Sequence, residues 1–185
     1  MKSLKNFLKE ALPVVFGVLL ALFLSNWKED LDSDRYVEEY YLHIHEESES
    51  NLGTLRDIVK SHRDLLDTLN NYKETDVNLD EILSNVGGIQ FALLQNSSWK
   101  YFQSNNIGKI DFDVISALSF MERMEYFCDH TAERFIETIH KFERSNRLDD
   151  KVVIIRHLEE LIDKEESSIQ IFESYNIWFE EHEKE

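Results

Sequence analysis

Two unlike patterns of apolar positions divide the chain. From Phe7 to Trp27 the side chains are almost wholly apolar, and from Ala11 to Trp27 no charge occurs. At about 1.5 Å of rise per residue, these 21 residues make a helix of about 31 Å, which matches a bilayer core of about 30 Å. The segment is therefore predicted to be a transmembrane helix. It leaves residues 1–6 as a short cytoplasmic tail and residues 28–185 as a separate domain.

Beyond the run the pattern becomes periodic. Val37, Tyr41, Ile44, Ser48, Asn51, Leu55, Ile58, His62, Leu65, Leu69 and Tyr72 follow steps of 4, 3, 4, 3 without a break, and Tyr40, Leu52, Val59 and Leu66 widen the stripe. This is the signature of a long amphipathic helix. No Gly or Pro lies between Gly17 and Gly53, so the membrane helix is free to continue into it. The polar stretch Lys73 to Asn78 ends the helix. Leu79 to Val86 then reads as a short helix, Gly87-Gly88 as a break, and Ile89 to Leu94 as an apolar patch, helix or buried turn. Asn96-Ser97-Ser98 caps a short helix through Trp99, Tyr101 and Phe102, and Asn105 to Gly108 makes a turn. The middle region is expected to pack as a crosspiece.

Asp111 is the expected N-cap of a second long helix reaching Arg144, with Ile115, Leu118, Met121, Cys128, Ala132, Phe135, Ile139 and Phe142 inward. After a corner at Ser145-Asn146-Arg147, a third helix from Leu148 or Asp149 to about His182 turns Ile155, Leu158, Ile162, Ile169, Phe172, Tyr175 and Phe179 inward. No strand pattern competes. The expected fold is all-α: a single N-terminal transmembrane helix continuing into an up-and-down bundle of long amphipathic helices, whose short connections make neighbours antiparallel.

The flanks of the apolar run set its topology. Leu22, Phe23, Leu24 and Asn26 offer no small-residue cleavage site, and no Cys follows the run, so an uncleaved signal anchor is expected. Lys2, Lys5 and Lys9 precede it, whereas Lys28 is followed by Glu29, Asp30, Asp32 and Asp34. Positive residues stay inside, which puts the C-terminal domain outside the cytoplasm. Pro13, Gly17, Ala21 and Ser25 recur every fourth residue on one face, a spacing that lets membrane helices approach closely.

Charge narrows the partners. The chain holds 20 Lys+Arg and 37 Asp+Glu; without the three Lys and one Glu of the first 27 residues, 17 face 36, a net charge of −19. Such a surface repels phosphate, so nucleic acid is a poor partner. Cys128 is alone, excludes an internal disulfide and reads as a small buried apolar residue.

Some of these residues also resemble a known family. Glu10-x-x-x-Val14-Val15-Phe16-Gly17-Val18-Leu19-Leu20-Ala21-Leu22, the exit Asn26-Trp27-Lys28-Glu29, then Tyr41-Leu42 and Asn51-Leu52, are similar to the start of an uncharacterised bacterial family with one N-terminal membrane helix. Ser98-Trp99-x-x-Phe102-Gln103-Ser104-Asn105-x-Ile107-Gly108-x-Ile110 is similar to its middle motif, although Ser104-Asn105-Asn106 stands where a Ser-Ser-Gly-like turn is usual. The resemblance implies a membrane location and a helical domain of unknown function. It implies no activity.

Reactive constellations are sparse. Glu137-Thr138-Ile139-His140 is one Glu-x-x-His, where ferritin-like bundles use two. His43 and His45 stand two apart, too close to share a helical face; His43, with Glu39 and Glu47, reads as an exposed acidic flank and His62 as a satisfied core histidine. Gly-x-Ser-x-Gly and Gly-rich phosphate loops do not occur, and Gly87-Gly88 lacks the following Lys-Ser/Thr. Trp99, Tyr101, Phe102, Phe120, Tyr126 and Phe127 fall at helical spacings and are expected in the core. No catalytic, cofactor-binding or metal-binding residue is assigned, no cofactor is expected, and the chain is not read as an enzyme. The expected function is a membrane-tethered interaction or scaffold module that binds another envelope protein or its own copies. The alternative is an extracytoplasmic ligand sensor acting through a membrane partner, since about nine residues before the apolar run leave no room for an output domain.

Overall fold

The computed structural model describes the backbone of residues 2–105 and 112–182, and of these the side chains of all but 2–12, 30, 33, 34 and 105. All regular secondary structure among them is helical: α1 (Lys2–Tyr72), α2 (Leu79–Asn85), α3 (Ser97–Asn105), α4 (Phe112–Phe142) and α5 (Leu148–His182). The chain forms two compact units, Met1–Tyr41 and Leu42–Glu185.

In the first unit, Val14, Val15, Phe16, Val18, Leu19, Leu20, Leu22, Phe23, Leu24 and Trp27 are all exposed. Residues 7–12 of the expected span have side chains outside the described set, and among the described residues no helix is long and apolar enough to cross a membrane.

The second unit is a helical bundle built on the heptad stripe. Ile44, Leu52, Leu55, Ile58, Val59, Leu65 and Leu69 of α1 are buried. Val59, Leu65 and Leu69 join Leu79 and Ile82 of α2, Phe135 of α4, and Ile154, Ile155, Leu158, Leu161 and Ile162 of α5 in one core cluster. The sides of the bundle can be read from its pairings. Ser48 meets Asn176, His62 meets Glu165, and Lys151 meets Tyr72, so α5 runs antiparallel to this part of α1. Cys128 meets Ser168, Arg134 meets Glu160 and Thr138 meets His157, so α4 is antiparallel to α5 and hence parallel to α1.

Two consecutive long helices that run parallel need a return path, and the middle region supplies it. α2 sits at the far end, where the Leu79 and Asp80 amides donate to the carbonyls of Ser145 and Glu143 in the α4–α5 corner. These bonds satisfy amides that a helix start leaves unpaired, since Asn78 makes no side-chain cap. α2 ends in a Schellman turn: the amides of Gly87 and Gly88 donate to the carbonyls of Ser84 and Leu83, and both glycines take positive φ, 82° and 87°. From there residues 89–95, the strap, run lengthwise. Gln90 lies level with His62 and Gln95 with Asn51. Eleven residues of helix at about 1.5 Å and five of extended chain at about 3.3 Å each cover about 16 Å, so the strap is nearly extended.

The middle region is therefore no crosspiece, and the second leg of the up-and-down path is a strap rather than a helix. Asp111 and residues 106–108 of the expected turn lie outside the described residues. On α4, Val114 is buried, with Ile115 only half-buried beside it. Of the six aromatic residues expected in the core, only Trp99 and Phe102 are there; Tyr101 of α3 is exposed, and so are Phe120, Tyr126 and Phe127, because α4 carries aromatics beyond its buried face.

Candidate functional site

The polar residues on the heptad stripe converge on a buried seam. The Ser48 hydroxyl donates to Asn176 Oδ1 at 2.6 Å, and the Asn176 amide in turn donates to Glu49. One turn on, the Asn51 carboxamide donates to the Gln95 carbonyl at 2.7 Å and accepts from the Gln95 amide at 2.8 Å. His62 completes the series, with Nδ1 2.9 Å from Glu165 Oε2 and Nε2 2.8 Å from the Gln90 carbonyl. A partnered polar group can be buried at little cost, whereas an unpaired one costs about 1–3 kcal/mol. These side chains therefore fix the register of α1 against α5 and the strap.

The far end of the seam is closed by a cation. Lys151 is buried and its ammonium donates to the carbonyls of Tyr72 and Thr75 at 3.0 and 2.8 Å, capping the C-terminal end of α1. Burial pushes its pKa down, against the pull of the Asp76 carboxylate.

Acidic side chains gather at the other end, around the start of α3. Glu47 accepts from the Ser97 hydroxyl and the Ser98 amide, which makes it an N-terminal cap supplied by another helix. Glu122 accepts from the Trp99 indole at 3.2 Å, and Glu125 accepts from the Asn96 amide. Burial raises the Glu125 pKa above the usual carboxylate range, with Asp129 and Glu122 adding to it and Lys100 and the Asn96 bond opposing it; Asp129 is raised chiefly by burial as well. Between these residues and the seam lies a cavity of about 20 Å³, room for about one water.

The remaining residues singled out by sequence take separate places. Cys128 is buried on α4, its Sγ 3.2 Å from Ser168 Oγ, and burial pushes its pKa up to about 11, which leaves the thiol a poor nucleophile. Glu137 and His140 are exposed on α4, and His140 points to Glu143 at 3.9 Å. His43 is exposed and pairs with Glu46 at 3.3 Å, while His45 stacks on Phe179 at 4.2 Å between centroids. No group of three or more His, Cys, Asp or Glu among the described residues could hold a metal ion. A surface groove of about 500 Å³ runs between α1 and α5, where Arg56 and Arg63 pair with Glu173 and Glu166 around Val59 and Ile169.

Sequence reasoning found Ser48, Asn51 and His62 as polar interruptions of an apolar stripe, and missed Glu165, Asn176 and Lys151. Each missed residue is a polar group on an inward position of α5, a signal present in the periodicity. Compared with known proteins, the chain matches no family model, no curated protein and no solved structure.

Proposed function

We propose that this chain is a membrane-tethered interaction module, in which residues 7–27 cross a bacterial inner membrane and the bundle, outside the cytoplasm, engages another envelope protein or a second copy of itself. The observation that carries the reading is the exposed apolar surface of α1. Val14 and Phe16 are each 66% exposed, and the apolar side chains on to Trp27 are similarly open. A continuous apolar surface of this size is a feature of lipid-facing or partner-facing segments, not of one left in water. The lysines before it and the acids after it favour the outward orientation. Membership of the uncharacterised bacterial family with one N-terminal membrane helix belongs to the same reading.

The seam supports a non-catalytic role for the bundle, since its buried polar groups are occupied with one another and with backbone. The second reading, a ligand sensor, draws on the water-sized cavity beside Glu122 and Glu125. Three measurements test the proposal. Reporters active only inside or only outside the cytoplasm, fused after Glu185, should give signal from the outside reporter alone. Crosslinking in intact membranes should trap the full chain with itself or with one distinct protein. Cytoplasmic signal alone overturns the orientation, and release of the protein by a high-salt wash of the membranes overturns the anchor.

A further inference from the structure

Two side chains hold the backbone of the strap among the described residues: Asn51 at Gln95 and His62 at Gln90. The second hold depends on protons. A carbonyl oxygen only accepts, so His62 Nε2 carries a hydrogen to reach Gln90. The 2.9 Å contact between Nδ1 and Glu165 Oε2 also needs a hydrogen between its atoms. The pair therefore holds two protons, as imidazolium beside carboxylate or as neutral imidazole beside carboxylic acid, and its net charge is zero either way. Remove one, and a ring lone pair must face an acceptor, either Nδ1 against the Glu165 carboxylate or, in the other tautomer, Nε2 against the Gln90 carbonyl. Add one, and an imidazolium sits beside a neutral acid. Each change puts an unmatched charge where the two side chains are 1% and 3% exposed.

We propose that His62 and Glu165 form a proton-operated latch on the strap. Gain or loss of one proton by the pair loosens the hold on Gln90 and lets Phe91 leave its place against His62 and Phe135. Phe91 marks what would move: its ring stands edge-on to His62 at 5.9 Å and to Phe135 of α4 at 6.4 Å, and it packs on the core cluster. From α5, Ser168 lies one turn beyond Glu165 and donates to the Lys164 carbonyl. From α4, the Cys128 thiol feels the Glu165 charge but stays protonated, its pKa being about 11. On α1, Arg63 next to His62 is exposed and paired with Glu166. The strap itself contributes no charge between Ile89 and Gln95. The latch belongs to the bundle and stands apart from the membrane reading.

Hydroxyl-radical labelling of Phe91 in the full chain, from roughly pH 4 to pH 9, reads the latch directly, and hydrogen exchange of the Gln95 amide, held by Asn51, reads how far along the strap the release travels. Protection, corrected for intrinsic exchange, should peak at intermediate pH and fall roughly tenfold or more on each side, while α5 amides such as that of Leu161 keep theirs. In Glu165→Gln the amide can donate to a neutral imidazole or accept from a charged one, so the alkaline loss should disappear. In His62→Gln one amide cannot serve both partners, so the strap should be loose at every pH. Wild-type protection that is flat with pH overturns the latch. So does loss of α5 protection in step with the strap, which means global unfolding, and so does a Glu165→Gln variant with the full alkaline loss. Should that variant fail to fold, the wild-type series with its α5 control still decides.

Discussion

Asn51 and Gln95 pair as two strands would: the side-chain amide of one donates to the backbone carbonyl of the other at 2.7 Å and accepts from its backbone amide at 2.8 Å. An extended segment packed against helices has no neighbouring strand to satisfy its backbone, and a buried peptide group left unpaired is costly. Asn51 is the side chain whose donor and acceptor match a peptide in both directions. One residue of the heptad stripe thus does for the strap what a β-ladder does for a strand.

Asn51→Ala should lower the unfolding free energy by about 1–3 kcal/mol, because it removes two bonds and strands a donor and an acceptor at Gln95. Asn51→Asp keeps the acceptor but sets a carboxylate against the carbonyl, and should be no better. Urea unfolding followed by far-UV circular dichroism measures both. An Asn51→Ala variant as stable as the parent would show that the clamp is idle.

The α1 stripe was legible because burial and heptad spacing coincide over its whole length, and Ser48, Asn51 and His62 showed on it as polar breaks. Their partners were not, since they lie 128, 44 and 103 residues away and no local pattern encodes so distant a pairing. The strap was ambiguous for a related reason. Ile89 to Leu94 has no period of its own, being held by side chains of α1 rather than by a pattern it carries. The exposed aromatics of α4 show the converse: Phe120 and Phe127 sit at helical spacing, yet on a face offset from Leu118, Met121 and Cys128, and spacing alone does not say which face is covered.

Leu158 is fully buried in the core cluster, and Leu158→Ala should cost about 2–5 kcal/mol through lost contacts and a cavity. Two residues on, Glu160 makes a surface pair with Arg134 at 2.8 Å, and Glu160→Ala should change stability by less than about 1 kcal/mol. Equal losses from the two substitutions would mean that the faces of α5 are assigned wrongly.

Cys128 makes the bundle sensitive to alkali. Burial raises its pKa from an ordinary 9.0 to about 11 in the folded chain, so between these values the unfolded state binds fewer protons than the folded one. Stability from this group is whole below about pH 9 and falls as pH rises toward about 11, by roughly 2–3 kcal/mol in all. Cys128→Ala should flatten that part of the stability curve, and the native thiol should resist alkylation at pH 8 until denaturant is added. Rapid alkylation of the folded chain, or an unchanged alkaline slope in Cys128→Ala, would contradict this assignment.

The small residues of the apolar run give the sharpest test of how the chain associates. Gly17 and Ala21 stand four apart on one face of α1, the spacing at which membrane helices pack closely, and a Cβ added at Gly17 meets no atom within 4 Å. A Cβ there clashes with nothing in the chain itself, so a substitution does not act by crowding the fold. Lipid tails supply no hydrophobic drive for helix pairing, and close backbone approach is what such a face contributes; two leucines would hold the helices apart. Gly17→Leu with Ala21→Leu should therefore reduce self-crosslinking in intact membranes several-fold, while leaving membrane retention and the circular dichroism of the bundle unchanged. Crosslinking to a distinct envelope protein that survives the double substitution would place recognition on the bundle. Self-association that survives it would exclude this face as the contact between copies.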